Sequence, residues 1–394
     1  MEGNPPLPPE ILGIVIEYLR DDVTALRSAL LVNKTWAIEA TRVLWENPPV
    51  TALAAIGKDR RQFYACHVRE LSFSGDEEGA KHSTFRNLEF PQLNNITIDY
   101  FRPDNGEMLW LGQYIQSSMK NFSFYGTEPA EDILHLLETR CPLLRSIVID
   151  FHFEGLTSDR LMKFFDNCKF LTSICLPSNV KYIIDSRLLA YLARYDGLKD
   201  LELGKFLGYG MLDKILEGTE RPFRNIRYIA IEIDSKTVPL LVAKTKSVLI
   251  LILKLGDSRI NPLPHVSSLV NLQELHIGYK GQVEWAGTDF LALGHFKNLR
   301  RLDISSITSS TLTDTEFIPI FENMSQLEEL VFQVQCVLST AALTSLGEHC
   351  PRLITCDLLG SYDLYCWKSI KKPIFPQLLV LKLGTATYGE EKRL

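Results

Sequence analysis

Leu272-Gln273-Glu274-Leu275-His276-Ile277, followed 27 residues on by Leu299-Arg300-Arg301-Leu302-Asp303-Ile304, is the stretch that decides the fold. Each hexad is apolar at its first, fourth and sixth positions. The last two apolar residues have the alternation of a strand with one buried face. The same hexad begins at Val68, Leu93, Met119, Leu144, Leu171, Leu198, Ile226, Val248, Leu272, Leu299, Leu327, Leu353 and Leu378, thirteen copies whose starts lie 22 to 28 residues apart. Between the hexads the apolar period becomes helical. Leu161/Phe164/Phe165/Cys168, Leu188/Tyr191/Leu192/Tyr195 and Phe317/Ile320/Phe321/Met324 each run i, i+3, i+4, i+7. One strand and one helix cannot bury an apolar face alone, so such units must stack on their neighbours.

The expected fold class is therefore α/β, an irregular solenoid with parallel strands on an inner arc and helices outside. Its period is that of the leucine-rich repeat. Cys141-Pro142 and Cys350-Pro351 stand just before strands, where a helix ends and Pro is tolerated. They resemble the C-P-x-L junction of the cysteine-containing repeats of F-box/leucine-rich-repeat proteins. The array departs from that pattern at the turn after the strand. The consensus Asn occurs only as Asn179, against Asp76, Thr127 and Asp234 elsewhere, so uneven turns are expected. The unit between Ile226 and Val248 is short, which predicts a short helix around 238–244.

Working outward to the N-terminus, Leu7-Pro8-Pro9-Glu10-Ile11-Leu12 precedes an apolar helical pattern through Ile16 and Leu19. Pro8 and Pro9 can start a helix but not continue one. Asp21 or Asp22 can cap a second helix over about 23–31, and Asn33 breaks it before a third over 34–45. Three short helices hold too little interior for this much apolar surface, so part of it must meet a partner or the rest of the chain. The order LPPEIL, Leu31-Val32-x-x-x-Trp36 and Leu44-Trp45 resembles the F-box over residues 4–48. That resemblance implies docking on the Skp adaptor, and through it on cullin, of an SCF-type ubiquitin ligase. The implied contact set is Leu7, Pro8, Ile11, Leu12, Ile16, Leu31 and Val32, with Trp36 near the seam.

Residues 49–66 connect this head to the solenoid of residues 67–394. Leu53, Ile56, Phe63 and Tyr64 suggest one packed helix there. With no Gly/Ser-rich linker, a rigid coupling is expected. The last strand is followed by eleven residues, too few for a capping unit, so an exposed or continued end is expected.

The chain has 394 residues and a net charge of −6. That charge argues against gripping nucleic acid. No run of about 18 apolar residues could span a membrane, and residues 1–9 are polar and Pro-rich, unlike an apolar signal region. The eight cysteines form no C-x-x-C and no zinc spacing; free buried thiols in a reducing compartment, cytoplasm or nucleus, are expected. No catalytic motif is found: Ser-x-x-Lys occurs at Ser117, Ser178 and Ser369 without its companion motifs. No catalytic residue, metal ligand or cofactor is expected.

Positions three, five and seven of each hexad point away from the core. They carry Glu70, Asp99, Asp150, Asp200, Glu202, Glu232, Glu274, Asp303, Glu329 and Asp357, against Lys254, Arg301 and Lys382. Ten acids against three bases exceeds the balance of the chain, 48 against 42. This predicts an acidic docking face for a protein target with a basic segment, anchored by Ile250 and Ile252. Two functions follow: a substrate receptor of an SCF-type ligase, or a protein-binding scaffold outside ubiquitylation whose N-terminal helices only cap the solenoid.

Overall fold

The structure, a computed structural model, describes residues 7–101, 111–126, 132–150, 155–208, 210–309, 311–369 and 373–387. The chain divides into two compact units, residues 1–174 and 175–394. Asp76 lies at a described backbone position, whereas Thr127 and residues 388–394 lie outside the described residues.

The first unit opens with α1 (Pro9–Tyr18), α2 (Val23–Ala29) and α3 (Lys34–Leu44). Pro9 takes the first turn of α1, where its missing N–H costs nothing. The Asp22 side chain accepts from Ala25 N at 2.9 Å and starts α2. Asn33 Oδ1 accepts from Thr35 N at 3.0 Å and Trp36 N at 3.1 Å and starts α3. Leu12, Ile16, Leu26, Ala29, Ala40 and Val43 form the core of the three helices, and Trp36 and Leu44 pack against it.

The connection contains two helices, not one: α4 (Val50–Ala55) and α5 (Lys58–Ala65). Ile56 and Gly57 both hold extended backbone, with ψ of 137° and 138°, which stops α4. Leu53 is buried, but Phe63 is exposed rather than packed.

Strands β1 (Glu70–Ser74), β2 (Asn95–Phe101), β3 (Asn121–Gly126) and β4 (Ser146–Asp150) follow. They pair in parallel, with Leu71, Ile96, Phe122 and Ile147 in one buried row. A second repeat stitches them just before each strand. The Arg69 carbonyl accepts from Asn94 N and Asn95 N at 2.8 and 3.1 Å, and the Asn94 carbonyl accepts from Lys120 N and Asn121 N at 2.8 and 3.0 Å. The Glu46 carbonyl accepts from Arg69 N and Glu70 N at 2.8 and 2.9 Å. The end of the helical head thus occupies the slot that a preceding repeat would fill. The unit division falls within β5 (Ser173–Leu176).

The second unit carries β6 (Asp200–Leu207), β7 (Tyr228–Ile233), β8 (Ile250–Leu255), β9 (Glu274–Glu284), β10 (Arg301–Thr308), β11 (Glu329–Gln335), β12 (Val337–Ser339), β13 (Thr355–Asp363) and β14 (Val380–Thr387). Pairing is parallel, and the fourth hexad residue lines up from strand to strand: Leu201, Ile229, Leu251, Leu275, Leu302, Leu330, Cys356 and Leu381. Each of the thirteen hexads carries a strand; β12 is an extra one, paired to the far half of β13. At that point β13 bulges at Gly360, whose φ is +118° and where a Cβ would lie 2.7 Å from the Cys336 carbonyl oxygen, leaving no room for a side chain.

Helices Ser186–Arg194, Asp314–Phe321 and Thr340–His349 lie between strands with one apolar stripe buried. The helix of the shortest unit is Val238–Lys244. Each unit is a leucine-rich-repeat solenoid: parallel strands with one face closed by helices, the other open. At the Cys-Pro junctions the Cys141 thiol donates to the Gln116 carbonyl of the previous repeat at 3.2 Å, so this residue stitches neighbours while ending its helix. Asn179 stands exposed in a turn of 3-10 helix, Ser178–Ile183.

Candidate protein-binding surfaces

The helical head exposes apolar side chains on the face of α1 that does not meet the core. Leu12 and Ile16 point inward and are about fully buried. Ile11, Ile14 and Tyr18, at i, i+3 and i+7, point outward and are 46%, 55% and 86% exposed. Leu7 and Pro8 are exposed ahead of them. Leu31 is 88% exposed and Val32 also projects, in the turn before α3; Trp36 is half-buried. The expected contact set therefore loses Leu12 and Ile16 as surface residues, because their helical phase places them in the head's own core. Ile14 and Tyr18 were overlooked, although their spacing from Ile11 marks them.

An ion-pair cluster ties the head to the first repeat. The Glu46 side chain is only 5% exposed and meets Arg42 Nη1 at 2.6 Å, Arg20 Nη2 at 2.7 Å and Arg69 Nη1 at 3.5 Å. Arg20 and Arg42 also grip Glu17 at 2.5 and 3.0 Å. Burial works against the Glu17 carboxylate, but the hydrogen bonds from Arg20 and Arg42 outweigh it and hold its pKa below the ordinary value. Arg69 belongs to the first repeat, so the cluster ties α1, α3 and the entry to β1 together.

On the open face of the second unit, strand register sorts the side chains into rows, all half-buried or exposed except buried Ala230. One row reads Asp200, Tyr228, Ile250, Glu274, Arg301, Glu329 and Thr355; the next reads Glu202, Ala230, Ile252, His276, Asp303, Val331 and Asp357. The expected acidic stripe is interrupted. Arg301 holds Glu329 through two contacts of 2.7 Å and reaches Glu274 at 3.5 Å. His276 lies 3.4 Å from Asp303, and Lys382 lies 3.6 Å from Asp357. Lys280 pairs with Glu232 and covers the Phe206 ring at 4.8 Å. The position count missed Lys280 because it lies two residues beyond the seven counted, on a strand that runs on to Glu284. It also treated each charge as independent, whereas strands ~4.8 Å apart let Arg and Lys reach across.

Asp200 and Glu202 are different. Glu202 accepts from the Tyr228 hydroxyl at 3.2 Å, which pushes the Tyr228 pKa up, after the larger effect of burial. Burial raises the Asp200 carboxyl above its ordinary value, against the pull of Lys199 and Arg227. The structure brings Asp200 and Glu202 on β6 and Ile250 and Ile252 on β8 to either side of β7, places Glu232, Glu274 and Glu329 in ion pairs, and sets Asp303 beside the His276 ring. Asp150 is half-buried at the end of β4, in the first unit.

Among the described residues no group of His, Cys, Asp and Glu is arranged to hold a metal ion, and no helix is long and apolar enough to cross a membrane. Cys141, Cys168, Cys336, Cys350 and Cys356 are buried thiols whose pKa burial pushes up to about 12. Ser345 and His349 approach at 3.2 Å, but the same His nitrogen faces the Ser345 carbonyl at 2.8 Å, one helical turn back. That contact ties the imidazole to its own helix.

No family model matches the chain, and no curated protein matches it. Solved structures do resemble it. The leucine-rich-repeat ectodomain of the Arabidopsis thaliana receptor kinase GASSHO1/SCHENGEN3, in complex with CASPARIAN STRIP INTEGRITY FACTOR 2, is 15% identical with a TM-score of 0.37, over 81% of this chain and 38% of that one. This chain thus spans well under half of the plant ectodomain. Human 5T4, a Wnt-activated inhibitory factor and trophoblast glycoprotein, is 15% identical with a TM-score of 0.34, over 50% of this chain and 72% of that one. A chain of the yeast Rad7 and Elc1 complex is 14% identical with a TM-score of 0.36, over 95% of this chain and 85% of that one.

Proposed function

We propose that this chain is the substrate receptor of an SCF-type ubiquitin ligase. In this reading its head is an F-box that docks on a Skp adaptor and so on cullin, and its repeat sheet holds a target protein. The observation that carries it is the head's outward apolar set, Leu7, Ile11, Leu31 and Val32, in the order that resembles the F-box. A helical head with its own core has no folding reason to expose these residues, and an exposed apolar cluster marks a docking surface. The chain then acts as a scaffold in the cytoplasm or nucleus. It is not itself an enzyme and needs no cofactor; it raises the effective concentration of the target near the ubiquitin-charged enzyme.

A second reading has an observation behind it. The Glu46 carbonyl completes the hydrogen-bond ladder ahead of β1, so the head also caps the repeats. Capping explains Glu46, Val50 and Leu53, and leaves Leu7, Ile11, Leu31 and Val32 unexplained. Co-expression with a Skp adaptor separates the two. The receptor reading expects co-purification that Leu7→Ala with Pro8→Ala abolishes while circular dichroism is unchanged. If the adaptor does not co-purify, or if the double substitution leaves capture intact, the capping reading stands and the receptor reading falls.

A further inference from the structure

From the second unit's open face we infer the class of target segment: a short peptide in which a large aliphatic side chain and a Lys or Arg sit about three residues apart. The inference rests on the receptor reading only for calling the segment a substrate; the binding itself stands on the sheet.

Ile250 and Ile252 are successive outward residues of β8. Tyr228 and Ala230 flank them on β7, and Asp200 and Glu202 lie one strand further on β6. Four of these six side chains are apolar or aromatic. Tyr228, Ile250 and Ile252 are half-buried and Ala230 is buried between them, an apolar patch on a face otherwise lined with charge. On the β9 to β11 side Arg301 lies between Glu274 and Glu329 and holds both. A cation already stands on that side, and it bounds the patch.

On the β6 side the acids keep their demand for a cation. Burial raises Asp200, which means its charge lacks full solvation. Glu202 receives the Tyr228 hydroxyl, a neutral donor that aims the carboxylate without neutralising it. Lys199 and Arg227 influence Asp200 electrostatically, but both belong to the second hexad position, which alternates away from the open face, and both are exposed. The occupant is chosen by charge complementarity: apolar over β8, cationic over β6. Two strand spacings of ~4.8 Å separate the two subsites by ~10 Å, the reach of three residues of extended chain. The aliphatic residue supplies desolvated contact and the cation supplies orientation and speed of capture.

The test uses the full chain, immobilised, and a random 12-residue peptide library as the probe. The expected outcome is enrichment of peptides pairing Lys or Arg with Leu, Ile or Val at a separation of three. An enriched peptide, resynthesised, should bind at least about tenfold more weakly to Asp200→Asn with Glu202→Gln, and more weakly as salt rises. Ile252→Ser should weaken it without changing the salt dependence. Enrichment of acidic peptides, no enrichment, or equal binding to the neutralised variant overturns the inference. Adaptor capture, measured on the same variants, reports separately on the head. Loss of peptide selectivity with adaptor capture intact sinks only this inference; peptide binding without adaptor capture sinks only the receptor reading.

Discussion

Replacing Glu46 should loosen the helical head without unfolding the repeats. Its carboxylate is 5% exposed and meets three guanidiniums, those of Arg42, Arg20 and Arg69, which are 25%, 44% and 44% exposed. Removing one partner of a fully buried ion pair costs about 3–5 kcal/mol, because the other charge is stranded. Here the guanidiniums keep water, and Glu17 and Glu39 still hold Arg42. Screening therefore trims the cost to about 2–3 kcal/mol for Glu46→Ala. The backbone carbonyl that feeds Arg69 and Glu70 survives the substitution, so the damage should concentrate in α1, α3 and the ladder entry. Hydrogen exchange by mass spectrometry reads this directly. At 1.4 kcal/mol per tenfold, exchange by local opening in peptides covering 7–66 should accelerate about 30- to 150-fold, with the second unit unchanged. Glu46→Gln, which keeps one acceptor, should fall between. Exchange in the head within about twofold of wild type would refute the role given to this cluster.

Three further outcomes are expected. Glu329 has its carboxyl held below the ordinary 4.5 by the Arg301 hydrogen bonds, so the pair stabilises fully above that value and fades as pH falls through the lower folded one; the gap in urea midpoint between wild type and Glu329→Gln should shrink as the pH is lowered below 4.5. Asp200 has a raised carboxyl because burial disfavours its charge, so Asp200→Asn should raise the melting midpoint at pH 7, a gain that vanishes once acid protonates Asp200 itself; a lowered midpoint at pH 7 would count against it. The five buried thiols with pKa near 12 carry a thiolate fraction of about 10⁻⁴ at pH 8, so iodoacetamide should label exposed Cys366 first, and rapid labelling of Cys141 or Cys350 in the native chain would contradict the packing.

What could be read from the residues, and what could not, divides by range. The strand in every hexad, the short helix at Val238–Lys244 and the caps at Asp22 and Asn33 are local consequences of apolar period and side-chain hydrogen bonding. The phase of α1 was equally available: Ile14 and Tyr18 share a side with Ile11, and Leu12 shares the other with Ile16. A contact motif ignores this phase, because it names residues without assigning them to one of the two faces of a helix. The acid positions were found, but not their partners. Whether Arg301 reaches Glu329 or Lys280 reaches Glu232 depends on cross-strand register and strand length, which no single hexad contains. Glu46 carried no signal at all, since its carbonyl matters only where the head meets the ladder of Arg69 and Asn94. The extra strand β12 and the bulge at Gly360 likewise arise from one repeat fitting against the next.

The central claim is that the head's outward apolar side chains dock on a Skp adaptor. It is tested most directly by a binding isotherm between purified adaptor and the full chain, wild type against Leu31→Ala with Val32→Ala, with Phe63→Ala, exposed on α5, as control. Two truncated anchors at about 2 kcal/mol each should weaken binding on the order of 100- to 1,000-fold, and the Phe63 change should leave it unaltered. Wild-type chain that fails to bind, or a double variant that binds as tightly as the control, would contradict it.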